Sequence, residues 1–180
     1  NPITGEPGDA CSPGGWASLV GRGFTAGKPE SALSFPLPFT LGGVRVRING
    51  EPAPILLASD EQVNFQCPQW TAGTPLHLEL ATAAGESWTV PDTVMRAAAP
   101  ALFTMEGTQR AVVQIVSTNQ LAVALDEAGG SRPARAGEHI RLYASGLGEV
   151  EIDPVAGPLA PGMPAPMDRP IRVKNRVRVT

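Results

Sequence analysis

Aromatic side chains make up only 5% of this chain, and histidine and cysteine occur twice each. The two histidines, His77 and His139, have no further His or Cys at metal-ligand spacing, which excludes a zinc-type centre. Positive charge is not in excess: 14 Lys and Arg stand against 17 Asp and Glu, a net charge of -3. The basic residues are also scattered, so a phosphate-backbone binder, which needs them clustered on one face, is excluded and no nucleic acid is expected as partner. No run of eighteen apolar residues occurs, so no membrane insertion is expected. The opening "NPITGEPGDA" lacks the charged and apolar regions of a signal peptide, as expected of a mature or trimmed chain.

What the sequence has is turn residues and short apolar runs. Twenty glycines and nineteen prolines in 180 residues are too many for helical architecture. A hydrophobic content of 42% over that length fills one substantial core or two small ones, and two are expected. The apolar runs are short and bounded by Gly, Pro, Asn and Asp, the pattern of an all-β protein.

Strands can be placed one by one. "GWASLVGRGF" reads as a strand closed by glycines. "VRVRI" follows with Val44, Val46 and Ile48 inward and Arg45 and Arg47 outward. Asn49-Gly50 makes a tight turn, because both residues tolerate positive φ. "APILLA" is a short apolar strand. "EQVNFQC" places Val63, Phe65 and Cys67 on one face, "PLHLEL" places Leu76, Leu78 and Leu80 inward, and "SWTVP" completes a sandwich-like set. The connector "MRAAAPALFT", residues 95–104, lacks alternation, so the expected division is 1–96 and 97–180. Beyond it, "AVVQIV" and "QLAVAL" read as a hairpin turning around Ser117 to Asn119.

The pattern also repeats. "PGGWASLVGRGF" from Pro13 and "AGEHIRLYASGL" from Ala136 match at Gly14 and Gly137, Leu19 and Leu142, Gly23 and Gly146, and Phe24 and Leu147, each pair 123 residues apart. "VRVRING" from Val44 has its counterpart in "VRVT" from Val177, 133 residues on. The Pro- and Gly-rich "IDPVAGPLAPGMPAPMD" accounts for the longer spacing as a loop insertion. "NRVRVT" is then a half-buried strand, and the second copy stops where the first continues past Arg47.

These stretches carry a resemblance. "GGWASLVGRGF", "VRVRINGEPAPILLASDEQVNFQCP" and "GTPLHLELATAAGES" resemble the IPT/TIG branch of immunoglobulin-like domains. With "AAAPALFT" and "ARAGEHIRLYASGLGEV" added, nearly the whole chain resembles the bacterial family known as the Solibacter uncharacterized C-terminal domain. The resemblance implies two Ig-like β-sandwich domains in tandem, the second incomplete, at the C-terminus of a large exported protein with no assigned activity. In such a sandwich the strand after Pro13 lies antiparallel to "QVNFQC". Cys11 and Cys67 are then neighbours and form a disulfide, with a buried free thiol at Cys67 as the alternative.

Sites for chemistry are sparse. His77 and His139 read as solvated strand positions, and "GRGFTAG" as a strand exit turn rather than a phosphate loop. No serine sits in a G-x-S-x-G setting. "EVEID" aligns Glu149, Glu151 and Asp153 on one face of an extended segment, a weak calcium candidate beside the commoner solvated edge. Trp16, Trp70 and Trp88 are candidates for a sugar-stacking platform, against the commoner role of aromatics in filling a small core. The expected function is a noncatalytic structural or interaction module of an exported, extracellular or cell-surface bacterial protein, without cofactor. Its expected partners are other domains or chains, including a second copy, reached through strand addition. The alternative is a carbohydrate-binding module.

Overall fold

The structure, a computed structural model, describes residues 11–105, 108–123, 130–152, 157–166, 168 and 170–178. Among them the protein is all β, with no helix and only antiparallel strand pairs. Eight strands fall in the first hundred residues: β1 (Trp16–Val20), β2 (Glu30–Ser31), β3 (Arg45–Ile48), β4 (Glu51–Ala53), β5 (Ile55–Ala58), β6 (Gln62–Gln66), β7 (Pro75–Ala81) and β8 (Ser87–Val94). They form two four-stranded sheets, ordered β1-β6-β5-β2 and β4-β3-β7-β8.

Period-two alternation explains why the two sheets close on each other. Val44, Val46 and Ile48 are buried while Arg45 and Arg47 are exposed, and Leu76, Leu78 and Leu80 are buried on β7. From the other sheet, Ala17, Ile55, Ala58, Val63 and Phe65 enter the same apolar cluster. Removing these side chains from water is the main driving force, at about 25 cal/mol for each Å² of apolar surface buried. The β3–β4 turn has Asn49 at φ 51° and Gly50 at φ 83°, the double positive-φ geometry of a two-residue hairpin. Asn49 also ties the turn to β7: its Nδ2 donates to Pro75 O at 2.9 Å and its Oδ1 accepts from His77 N at 2.7 Å. Pro54, buried and without an N–H, stands where the chain leaves one sheet for the other, and its carbonyl accepts from Gln66 N at 2.8 Å.

The chain contacts divide into two compact units, residues 11–99 with 146–178, and residues 100–145. The expected second domain, 97–180, is therefore shared between the two. Residues 146–178 join the sandwich unit through specific bonds: Ala99 N donates to Gly146 O at 2.8 Å, Leu37 N to Gly162 O at 2.9 Å, and Gly162 N to Gln66 Oε1 at 2.8 Å. Gly162 has φ +75°, and a Cβ there would lie 3.0 Å from Leu37 N, so the close approach needs glycine.

"NRVRVT" does not form the expected strand across its described part, 175–178. Among the described residues the tail pairs earlier, through a bridge between Val150 and Val173, with Glu151 N donating to Arg172 O at 2.7 Å and Lys174 N to Glu149 O at 2.8 Å. Alternation specifies a strand only where a partner strand is available, and among the described residues none pairs with 175–178. Residues 179–180 lie outside the described residues.

The second unit has β9 (Ala101–Leu102), β10 (Val113–Ile115), β11 (Ile140–Leu142) and β12 (Ala144–Ser145), paired as β9 with β12 and β10 with β11. Its hairpin turns where expected: Ile115 N donates to Gln120 O at 2.9 Å, Ala122 N to Val113 O at 2.8 Å, and Asn119 takes φ 56°. Within the repeat, all four matched glycines, Gly14, Gly23, Gly137 and Gly146, have positive φ. Strand pairing differs: β1 pairs with β6, which follows it in sequence, and β11 with β10, which precedes it.

Phe65, fully buried, is the largest side chain that β6 contributes to the core. Phe65→Ala is expected to destabilise the chain by about 3–5 kcal/mol. The exposed Arg45→Ala should cost under about 0.5 kcal/mol, both read from urea unfolding midpoints.

Candidate functional site

Cys11 and Cys67 are joined in a disulfide, with Cα atoms 5.6 Å apart and a sequence separation of 56. The register of β1 and β6 brings them together: Trp16 lies opposite Gln66, and Cys67 N donates to Gly15 O at 2.9 Å just beyond the ladder. Both cysteines are buried in the core, and Cys11 O accepts from Arg96 N at 2.9 Å, so the start of the described chain is tied to the end of β6 by the disulfide and to the segment after β8 by a hydrogen bond.

The three tryptophans are not brought to one surface. Trp16 is half-buried on β1, in one sheet. Trp88 lies in β8 of the other sheet, 38% exposed, with its ring set edge-on to Phe24 at 5.7 Å between centroids. Trp70 follows β6 and packs against the core. It also lines a cavity of about 60 Å³ with Ile48, Ala53, Pro68 and, from the returning segment, Leu159 and Pro161. Neither Trp16 nor Trp88 lines that cavity.

Glu149 is engaged by Lys174, whose Nζ lies 2.7 Å from its Oε2, and Glu151 is exposed. Asp153, the third carboxylate considered for calcium, lies outside the described residues. Among the described residues no group of three or more His, Cys, Asp or Glu is placed to hold a metal ion. His77 is half-exposed with its Nε2 3.7 Å from Glu79 Oε1, and His139 is exposed beside β11.

The outer faces of the two sheets differ in chemistry. On β3 and β7 the outward positions hold Arg45, Arg47, His77 and Glu79, with Glu79 opposite Arg47. On β1 and β6 the outward pairs are Trp16 with Gln66, Ser18 with Asn64, and Val20 with Gln62, none of them ionisable. Ser18 Oγ donates to Asn64 Oδ1, which also accepts from Gln62 Nε2 at 2.7 Å. "QVNFQC" assigned Val63, Phe65 and Cys67 inward, so the outward set was implicit in the sequence. What the sequence did not carry is the cross-strand register that joins that set to Trp16 and Ser18.

No family model, no curated protein and no solved structure matches this chain. Among the described residues no helix is long and apolar enough to cross a membrane. The buried disulfide is compatible with an oxidising, extracellular setting.

In the second unit, Glu138 is held by a bidentate pair. Arg132 Nη1 donates to its Oε2 at 2.8 Å and Nη2 to its Oε1, while Arg135 N donates to Oε2 at 2.7 Å. The Arg132 hydrogen bonds first, and the Arg135 amide second, pull the carboxyl from its ordinary 4.5 down to about 2.

Two outcomes are expected. Cys11→Ser with Cys67→Ser should lower stability by about 4 kcal/mol from the restored loop entropy, measured by denaturant unfolding. The Glu138 carboxyl should titrate near 2 by NMR. Because its folded value is depressed, its stabilisation is complete above the ordinary 4.5 and disappears as pH falls through about 2. Amide protection of residues 132–138 should fall across that window, and Glu138→Gln should abolish the dependence.

Proposed function

We propose that this chain is a noncatalytic structural or interaction module of an exported bacterial protein, which associates with another chain by strand addition. Its sandwich unit is an Ig-like domain of IPT/TIG type, with a smaller β unit, residues 100–145, inserted in its sequence. A second copy, or another domain of the parent protein, supplies the added strand.

The open edge of β1 carries this reading. Cys67 N donates to Gly15 O and Gly21 N to Glu61 O, so odd-numbered residues of β1 make the ladder to β6. The backbone N–H and C=O groups of Ser18 and Val20 therefore point the other way, toward the edge of the sheet, where no described strand pairs with them. Val20 is 77% exposed. The other three edges are blunted: β2 has two residues, β4 has three including Pro52, and β8 is interrupted by a register shift between the Leu78–Val90 and Leu76–Thr93 pairs. Proline, bulges and short strands are the usual defences against edge pairing, and β1 has none of them and no charge.

Hydrogen exchange tests the proposal. Protection of the Ser18 and Val20 amides should rise with protein concentration or with added parent-protein segments. Val20→Lys, which puts a charge on the edge, should abolish that rise while leaving the β1–β6 ladder protected. Fast exchange at both amides under every condition would sink strand addition.

A further inference from the structure

We propose that the outer face of the β1–β6 pair is a binding site for a neutral oligosaccharide. The Trp16 indole serves as the stacking surface, and the carboxamides of Gln62, Asn64 and Gln66 read sugar hydroxyls. This goes beyond strand pairing, which uses backbone groups in the plane of the sheet. The sugar site uses side chains perpendicular to it.

The placement is set by register. Trp16 and Gln66 stand side by side at one end, Ser18 and Asn64 in the middle, and Val20 and Gln62 at the other. Alternate residues on a strand lie about 7 Å apart, so the three β6 carboxamides form a row about 13 Å long, the reach of a short oligosaccharide. The row is pre-organised. Asn64 Oδ1 accepts from both Ser18 and Gln62, which turns its Nδ2 donors away from these neighbours, and Gln66 Oε1 is fixed by Gly162 N at 2.8 Å. Gln62 Nε2 donates to both Asn64 Oδ1 and Ser18 Oγ, so the row presents Gln62 Oε1 as acceptor and Asn64 Nδ2 and Gln66 Nε2 as donors, which suit successive sugar hydroxyls, and an indole face suits the C–H face of a sugar ring.

Charge decides the occupant. The outer face of the other sheet shows the usual solvated arrangement, with Arg45, Arg47, His77 and Glu79. The outward positions of β1 and β6 carry no ionisable side chain, and the charges just past Val20, Arg22 and Glu61, face each other at 4.0 Å, so an anionic or cationic ligand finds no counter-charge over the row. An apolar protein surface would strip water from the carboxamides without replacing its hydrogen bonds, which is costly. A neutral polyhydroxylated chain satisfies both the indole and the amides.

The test titrates the chain at millimolar concentration with neutral hexaoses of α-linked glucose, β-linked glucose, mannose and xylose, and with an oligogalacturonate as anionic control, followed by NMR. At least one neutral hexaose should shift the Trp16 indole N–H and the Asn64 and Gln62 carboxamide signals. Trp16→Ala and Asn64→Ala should each weaken binding roughly tenfold, Trp16→Phe should retain most of it, and Trp88→Ala should leave it unchanged. Backbone spectra check that each variant folds. The proposal is overturned if none of the four neutral sugars moves these signals. Equal binding by Trp16→Ala and Asn64→Ala, preference for the galacturonate, or light scattering that shows this face covered by a second copy would overturn it as well.

Discussion

The sandwich depends on one shared asset, the apolar side chains that two four-stranded sheets contribute to a common core. Neither sheet buries its inner face alone. Val46, Ile48, Leu76, Leu78 and Leu80 from one sheet meet Ala17, Ile55, Val63 and Phe65 from the other. Every other feature of this unit sits on that pairing: the hairpin at Asn49-Gly50, the sheet switch at Pro54 and the register that leaves charges on one outer face and amides on the other. A one-residue slip of β6 would turn Val63 and Phe65 to solvent and the carboxamides into the core, so the core fixes the outer face as firmly as the inner one.

The disulfide and the returning segment extend this constraint beyond the strands. Cys11–Cys67 lies within the apolar cluster and fastens the chain before β1 to the end of β6. Residues 146–178 come back to the same unit, held to it at Gly146 and Gly162 by backbone bonds. Gly162 meets both Leu37 and Gln66, so the returning segment also positions one end of the amide row. A proline-rich stretch expected only as an insertion between strands thus orders part of the surface.

Edges and faces divide the possible interactions of the unit. Three of its four edges are short, carry proline or are bulged, whereas β1 is neither interrupted nor charged. The same strand also supplies Trp16 and Ser18 to the uncharged face. Backbone pairing in the plane and side-chain recognition above it use different groups, so both are compatible on one strand.

Much of the architecture is legible in the sequence. Alternation placed Val44, Val46, Ile48, Leu76, Leu78 and Leu80 inward, because period two is a local property of extended chain. Asn49-Gly50 named its own turn for the same local reason, as did the hairpin closing at Asn119. That Trp16, Trp70 and Trp88 share no surface was not legible, since they come from different sheets and a loop, and only packing decides which aromatic faces which surface. The strand expected at "NRVRVT" failed because alternation is necessary for a strand but a partner must also be supplied. Sequence alone thus determined which residues go inward and where the chain turns. Tertiary structure alone decided which strands pair, that residues 146–178 return to the first unit, and which outward side chains share a face, because pairing register joins residues about fifty positions apart and no local pattern encodes it.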